Sequence, residues 1–115
     1  MMATLRINKD RPFGLFEIDE SGTIIYSKVE PDESPGPAVD VTGKNFFQDV
    51  VPLETVVELK EKIASFTCGN IATDSFYVTY RVDSGDVPVK VLLGRIRERP
   101  SGYNTKSVLV HIRRA

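Results

Sequence analysis

Short segments with β-type alternation, separated by turn residues, constrain this chain more than any other feature. Between positions 75 and 82, Phe76, Val78, Tyr80 and Val82 alternate with Tyr77, Thr79 and Arg81. Alternation with a period of two is typical of a strand that buries one face. Two further segments, 87–97 and 107–113, repeat it, with these residues on one face: Val89, Val91 and Leu93, then Val108, Val110 and Ile112. We therefore expect three consecutive strands, joined at 83–86 and 100–102.

The N-terminal part of the chain predicts a β-hairpin. The apolar run 13–18 ends at Asp19-Glu20-Ser21-Gly22, and 23–29 follows with β-branched and aromatic residues. Aspartate and serine bond to nearby backbone in turns, and glycine permits a positive φ. Segment 30–37 holds three prolines and a glycine, which excludes a long regular element and predicts an ordered loop.

A helical middle separates the hairpin from the last three strands. Residues 43–52 predict a helical turn or two that stops near Pro52, and a longer helix should end before Gly69. Its apolar positions fall mainly at helical spacing: Leu53, Val56, Val57, Leu59, Ile63 and Phe66. Five strands around a helical middle predict an α+β fold, a five-stranded antiparallel sheet with helices packed on one face. We expect a single domain over 1–115.

Composition narrows the classes of function. Lys and Arg number 15 against 16 Asp and Glu, so the net charge of -1 argues against nucleic-acid binding. No apolar run approaches the ~18 residues of a spanning helix, so we expect no membrane partner. One cysteine excludes an internal disulfide, and with one histidine it excludes a Cys/His zinc site. A reducing, cytoplasmic location follows as the expectation.

Catalytic chemistry is not expected. The sequence has no nucleophile–base motif, so we assign no catalytic and no metal-binding residues and expect no enzyme. The alternation of its strand places His111 opposite Val108, Val110 and Ile112, which predicts a solvent-facing residue. Cys68 stands near the end of the long helix, where the helix dipole does not activate a thiol.

Residues 43–52 have the sequence Gly43-Lys44-Asn45-Phe46-Phe47-Gln48-Asp49-Val50-Val51-Pro52. This segment resembles the corresponding segment of the photoactive yellow protein family, whose members are blue-light-sensing PAS domains. This resemblance implies a PAS fold. Extended without gaps toward the N-terminus, it places Tyr26 and Glu30 on the tyrosine and glutamate that hydrogen-bond the family's chromophore. It places Ser34 on a threonine that supports them. If the family geometry holds, the Glu30 carboxyl points toward Tyr26 and burial raises its pKa. In the alternative, Tyr26 fills core space, and Glu30 caps a helical turn or is solvated because the proline-rich loop turns outward.

Departures from the family are equally informative. Leu53 occupies the position of the cysteine that carries the coumaric thioester, and Gly36 the position of the pocket-gating arginine. Light sensing through a thioester is therefore excluded. The motifs for flavin and haem binding are absent as well, so any cofactor is unknown. The candidate ligand pocket that the resemblance implies consists of Tyr26, Glu30, Ser34 and Leu53.

Two functions remain open at this point. The chain is either a sensor module that binds an unidentified small molecule between sheet and helices, or a ligand-free module with a filled core that mediates protein association. A cavity between the long helix and the sheet would favour the first. We expect a homodimer or a signalling-protein partner at the sheet face that carries Tyr77 and His111. The chain should act on an effector in trans or form part of a larger receptor.

Overall fold

The computed structural model describes residues 13–29, 40–82, 85–97 and 105–115. Within these ranges the chain forms a hairpin, a helical middle and a three-stranded meander. The five strands are β1 (Gly14–Ile18), β2 (Ile24–Val29), β3 (Thr73–Val82), β4 (Gly85–Arg97) and β5 (Thr105–Arg114). Each of the last three strands is two or three residues longer than the sequence pattern predicts.

All five strands belong to one antiparallel sheet, in the order β2-β1-β5-β4-β3. The first strand of the hairpin therefore pairs with the last strand of the chain, and Phe16 stands opposite Val110. The helical middle connects the two edge strands, β2 and β3. The predicted α+β, PAS-like architecture is confirmed.

Helical structure in the middle starts at Asn45. The Asn45 Oδ1 atom accepts hydrogen bonds from the backbone N–H groups of Phe47 and Gln48, both at 3.0 Å. These bonds satisfy donors at the start of a short π-helical segment, Phe46–Val50. After Pro52 the chain forms a 3₁₀ turn, Leu53–Thr55, and then helix α1, Val56–Cys68, which ends at Gly69 as predicted.

The hydrophobic core lies between α1 and one face of the sheet. Helix α1 contributes Leu59, Ile63 and Phe66, all buried. Burying side chains of this size stabilises a fold by ~1.5–3 kcal/mol each. The predicted strand alternation is confirmed, because one face supplies these buried residues: Phe16, Ile18, Val78, Tyr80, Val89, Val91, Leu93, Val108, Val110 and Ile112.

The opposite face of the sheet, here called the outer face, carries the alternate residues. His111 pairs with Leu15 on β1 and Leu92 on β4, so it lies on this face as predicted, although it is half-buried. Tyr77 on β3 is 66% exposed. The outer face is therefore partly apolar along its length.

The structure corrects two of the apolar positions expected for the helix. Leu53 lies on the 3₁₀ turn before α1 and is 84% exposed. Val57 lies in α1 but off the helix face formed by the buried residues, and it is 68% exposed. Cys68 is an exposed free thiol in the last turn of α1. The loop expected at 30–37 and the turn at 100–102 lie outside the described residues. Within the described ranges, no helix has the length and apolar character needed to cross a bilayer.

Candidate ligand cavity between helix and sheet

A cavity of about 580 Å³ opens between α1 and the end of the sheet where β1 turns into β2. The turn forms one wall, and α1 forms the facing wall. The start of β5 closes the third side with Ser107 and Val108, and Phe47 contributes its ring from the π-helical segment. The turn wall is formed by Ile18, Asp19, Glu20, Ser21 and Gly22. The helix wall is formed by Lys60, Ile63, Ala64 and Thr67.

The turn wall is held by the side chain of Asp19. Its Oδ1 atom accepts hydrogen bonds from the backbone N–H groups of Ser21 and Thr23, both at 2.9 Å. The Gly22 N–H donates to the Asp19 carbonyl at 3.0 Å. An aspartate that bonds to backbone two residues on is the usual closure of such turns, and it fixes the path of residues 19–23.

Hydrogen bonds connect this turn to residues 43–52, the segment that resembles the photoactive yellow protein family. The Phe46 N–H donates to the Gly22 carbonyl at 2.8 Å, and the Asn45 Nδ2 donates to the Ser21 carbonyl at 3.2 Å. Gly22 has φ +84, and a Cβ atom there would lie 2.9 Å from the Phe47 ring. Glycine is therefore required by both the conformation and the contact. The family-like segment thus positions a wall of the cavity.

Helix α1 presents four residues to the cavity, Lys60, Ile63, Ala64 and Thr67. Spacings of three and four residues place them on one face of the helix. The Lys60 ammonium lies 5.4 Å from the centroid of the Phe47 ring. That distance permits a cation–π contact, which holds the charge beside the cavity.

Arg95 on β4 fixes the C-terminal end of this helix wall. Its Nη1 atom donates to the Thr67 carbonyl at 3.2 Å, and its Nε atom donates to the Ile71 carbonyl at 3.1 Å. Its Nη2 atom donates to the Phe66 carbonyl. Carbonyls at a helix C-terminus lack intrahelical partners and attract cations. The guanidinium therefore ties the helix wall to the sheet at the level of Thr67.

Several polar groups around the cavity are already engaged within the fold. The Ser107 Oγ donates to the Glu17 carboxylate at 2.6 Å, and the Thr67 Oγ1 donates to the Ala64 carbonyl at 2.9 Å. Ile18, Ile63 and Val108 contribute apolar surface from three different elements, alongside polar and charged residues of the turn and the helix. Small-molecule sites combine apolar surface with placed polar groups in this way. Among the described residues, no cluster of three metal-ligating side chains occurs.

Tyr80 is a buried polar residue outside this cavity. Its ring belongs to the core, and among the described residues its hydroxyl has no hydrogen-bond partner. Burial raises the pKa of the Tyr80 hydroxyl strongly, because the phenolate would lose its hydration. The position of Tyr80 in the β3 alternation predicts its burial, but not the missing partner.

The structure places two of the four residues of the pocket predicted from the family resemblance. A β-bulge between Glu17 and Ile18 sets Tyr26 opposite Glu17, so Tyr26 lies on the outer face and is 48% exposed. Leu53 is exposed on the 3₁₀ turn. Neither residue lines the cavity at the β1–β2 turn. Glu30 and Ser34 lie outside the described residues, and their pocket assignment stays a prediction.

Comparison with known proteins gives one match among curated sequences. The chain is 43% identical over 44 residues to photoactive yellow protein of Rhodothalassium salexigens. The match covers 37% of this chain and 35% of that protein, so the similarity spans about a third of the relative's length. No family model matches the sequence. The chain is thus a PAS-like domain that resembles photoactive yellow protein over part of its length.

Among solved structures, a fungal LOV domain photoreceptor is similar to this chain. That similarity has a TM-score of 0.48 and 15% sequence identity, and it covers 100% of this chain and 81% of the other.

Proposed function

We propose that this PAS-like domain is a sensor module of signal transduction that binds a small molecule between α1 and the sheet. The observation that carries the proposal is the cavity of about 580 Å³ at the β1–β2 turn. Ligand pockets in proteins commonly have volumes of roughly 300–1,000 Å³. The alternative is a ligand-free module with a filled core, in which this space binds no small molecule.

The proposed sensor does not use the photochemistry of its relative. Leu53, at the position of the family's chromophore cysteine, has no group that forms a thioester. Catalysis is not part of the proposal either. The one histidine, His111, lies on the outer face, and the one cysteine, Cys68, does not line the cavity. Its exposed free thiol favours a reducing compartment, as a cytoplasmic sensor would occupy.

A fluorescent apolar probe tests whether the cavity accepts ligands. N-phenyl-1-naphthylamine, which is uncharged, should bind the full chain with a saturable increase in emission. Ala64→Phe places a ring in the cavity wall and should abolish the binding. Ser65→Phe is the matched control, because Ser65 is an exposed neighbour on α1 that does not line the cavity. Unsaturable binding, or equal binding by the two variants, would contradict the proposal.

The second candidate function is protein association through the outer face. The observation that favours it is an open groove of about 510 Å³ on that face, formed partly by Leu92, Gly94 and Leu109. Tyr77 is exposed on the neighbouring strand β3. We propose a homodimer at micromolar concentration, in line with the tendency of exposed apolar patches to mark interfaces.

Sedimentation velocity tests this association. Tyr77→Lys should shift the population to monomer, whereas Val57→Lys should not, because Val57 is equally exposed but lies on α1. A wild-type chain that stays monomeric across the micromolar range would remove the second candidate.

A further inference from the structure

We infer that the cavity selects a small amphipathic zwitterion, with an apolar body, an anionic group near Lys60 and a cationic group near Glu20. This inference rests on the proposed ligand-binding function and adds the chemical class of the ligand. It follows from the distribution of charge over the facing walls of the cavity.

The helix wall carries the cationic group. Among the described residues that line the cavity, Lys60 is the one lysine, and none is an arginine. Its ammonium is held 5.4 Å from the Phe47 centroid, and Phe47 lines the cavity as well. The charge is therefore kept beside the opening. A carboxylate or a comparable acceptor on the ligand is the natural partner of this group.

The turn wall carries the opposite charge. The Asp19 Oδ1 atom is engaged by two backbone N–H groups, so this carboxylate serves mainly to close the turn. The Glu20 carboxylate is exposed, and no hydrogen bond or ion pair connects it to another described residue. A protonated amine on the ligand is the natural partner of Glu20.

Two of the three hydroxyl groups that line the cavity, those of Ser107 and Thr67, already donate within the fold, and the third belongs to Ser21. The hydroxyl protons of Ser107 and Thr67 are donated to Glu17 and to the Ala64 carbonyl. Among the described lining residues, Lys60 is the one donor that carries a positive charge for an anionic group. Between the two charged walls, Ile18, Ile63 and Val108 offer an apolar surface to the body of the ligand. A purely anionic molecule would meet the acidic turn, and a purely cationic one would meet Lys60.

Three probes that share a phenyl group and differ in charge separate these possibilities. L-phenylalanine carries both charges, 2-phenylethylamine lacks the carboxylate, and 3-phenylpropionate lacks the amine. Binding to the full chain is measured by titration with NMR detection at constant ionic strength. We expect L-phenylalanine to bind about fivefold more tightly than either single-charge probe, the upper range for an exposed ion pair. Added salt should reduce this preference.

Charge-neutralising variants assign the preference to residues. Lys60→Gln should remove the advantage of L-phenylalanine over 2-phenylethylamine. Glu20→Gln should remove its advantage over 3-phenylpropionate. Lys62→Gln is the matched control, since the Lys62 ammonium also lies 5.4 Å from a ring centroid, that of Phe76, but does not line the cavity. It should leave all three affinities unchanged.

The outcomes distinguish the ligand class from the existence of the site. If N-phenyl-1-naphthylamine binds and Ala64→Phe blocks it, but the three charged probes bind equally or not at all, the zwitterion inference is overturned and the cavity proposal stands. A preference for L-phenylalanine that survives in both Lys60→Gln and Glu20→Gln also overturns the inference. If the uncharged probe fails as well, the proposed function itself fails.

Discussion

The guanidinium of Arg95 lies 4.7 Å from the centroid of the Phe66 ring, and its Nη2 atom donates to the carbonyl of the same residue. One side chain of β4 thus contacts both the ring and the backbone in the last turn of α1. Thr67, the next residue, accepts from the same guanidinium and lines the cavity. Arg95 therefore connects strand β4 to the helix wall of the cavity.

Replacing Arg95 should loosen this connection. Arg95→Lys keeps the charge but loses the planar group that reaches three carbonyls, so we expect a loss of unfolding free energy of about 1–3 kcal/mol. Chemical denaturation measures the loss. Arg81→Lys is the control, because Arg81 is exposed on β3, and it should change stability little. Equal losses in the two variants would show that the contacts of Arg95 contribute nothing particular.

Local pattern predicts most of this fold. Period-two alternation locates β3, β4 and β5 and identifies their buried face. Apolar residues at alternate positions, such as Val91 and Val110, are all buried when that one face packs against the core. Gly69 marks the end of α1 because it follows the last apolar position of the helix, Phe66. These elements depend on residues that are close together in the sequence, so local patterns are enough to predict them.

The candidate site was not predictable in the same way. A bulge between the pairs of Glu17 and Ile18 leaves Tyr26 on the outer face, although the family spacing places it in the predicted pocket. The cavity joins a turn, a helix face and the start of β5, which meet only in the tertiary structure. The spacing of Lys60, Ala64 and Thr67 indicates that they share a helix face, but it does not indicate which residues lie opposite that face.

The glycine that the turn requires provides a second prediction. Gly22→Ala should destabilise the fold by about 1–2 kcal/mol from its positive φ alone, with a further loss from the contact with Phe47. Gly43→Ala is the matched control, because Gly43 has φ +90 and no atom within 4 Å of the added Cβ. The difference between the two variants in thermal unfolding isolates the contact. No difference would mean that the Phe47 ring moves aside freely.

The thioester position yields a third prediction. Incubation of the chain with activated coumaric acid should add no covalent mass and no visible absorption band, since Leu53 has no nucleophilic atom. Mass spectrometry and absorption spectroscopy check both points. Cys68→Ser is the control, because Cys68 is the one thiol of the chain and is exposed. An adduct at Cys68 that bleaches in light would contradict the prediction.

The buried hydroxyl of Tyr80 links stability to pH. The pKa of Tyr80 is raised in the folded chain by burial, whereas in the unfolded chain it returns to about 10. Above pH 10 the unfolded state therefore loses a proton that the folded state keeps, and this favours unfolding. The contribution to stability is complete below pH 10 and falls by up to ~1.4 kcal/mol for each further pH unit.

Tyr80→Phe should remove this pH dependence and leave stability near neutral pH equal or higher. The reason is that the hydroxyl has no partner among the described residues, so its removal ends the cost of burying an unsatisfied group, about 1–3 kcal/mol. Denaturant titrations between pH 8 and 11.5 measure both effects. Tyr77→Phe is the control, since Tyr77 is exposed on the same strand and should leave the pH dependence unchanged. If Tyr80→Phe destabilises the chain at neutral pH, the hydroxyl has a favourable partner in solution. An alkaline slope retained in Tyr80→Phe would assign the titration to other groups.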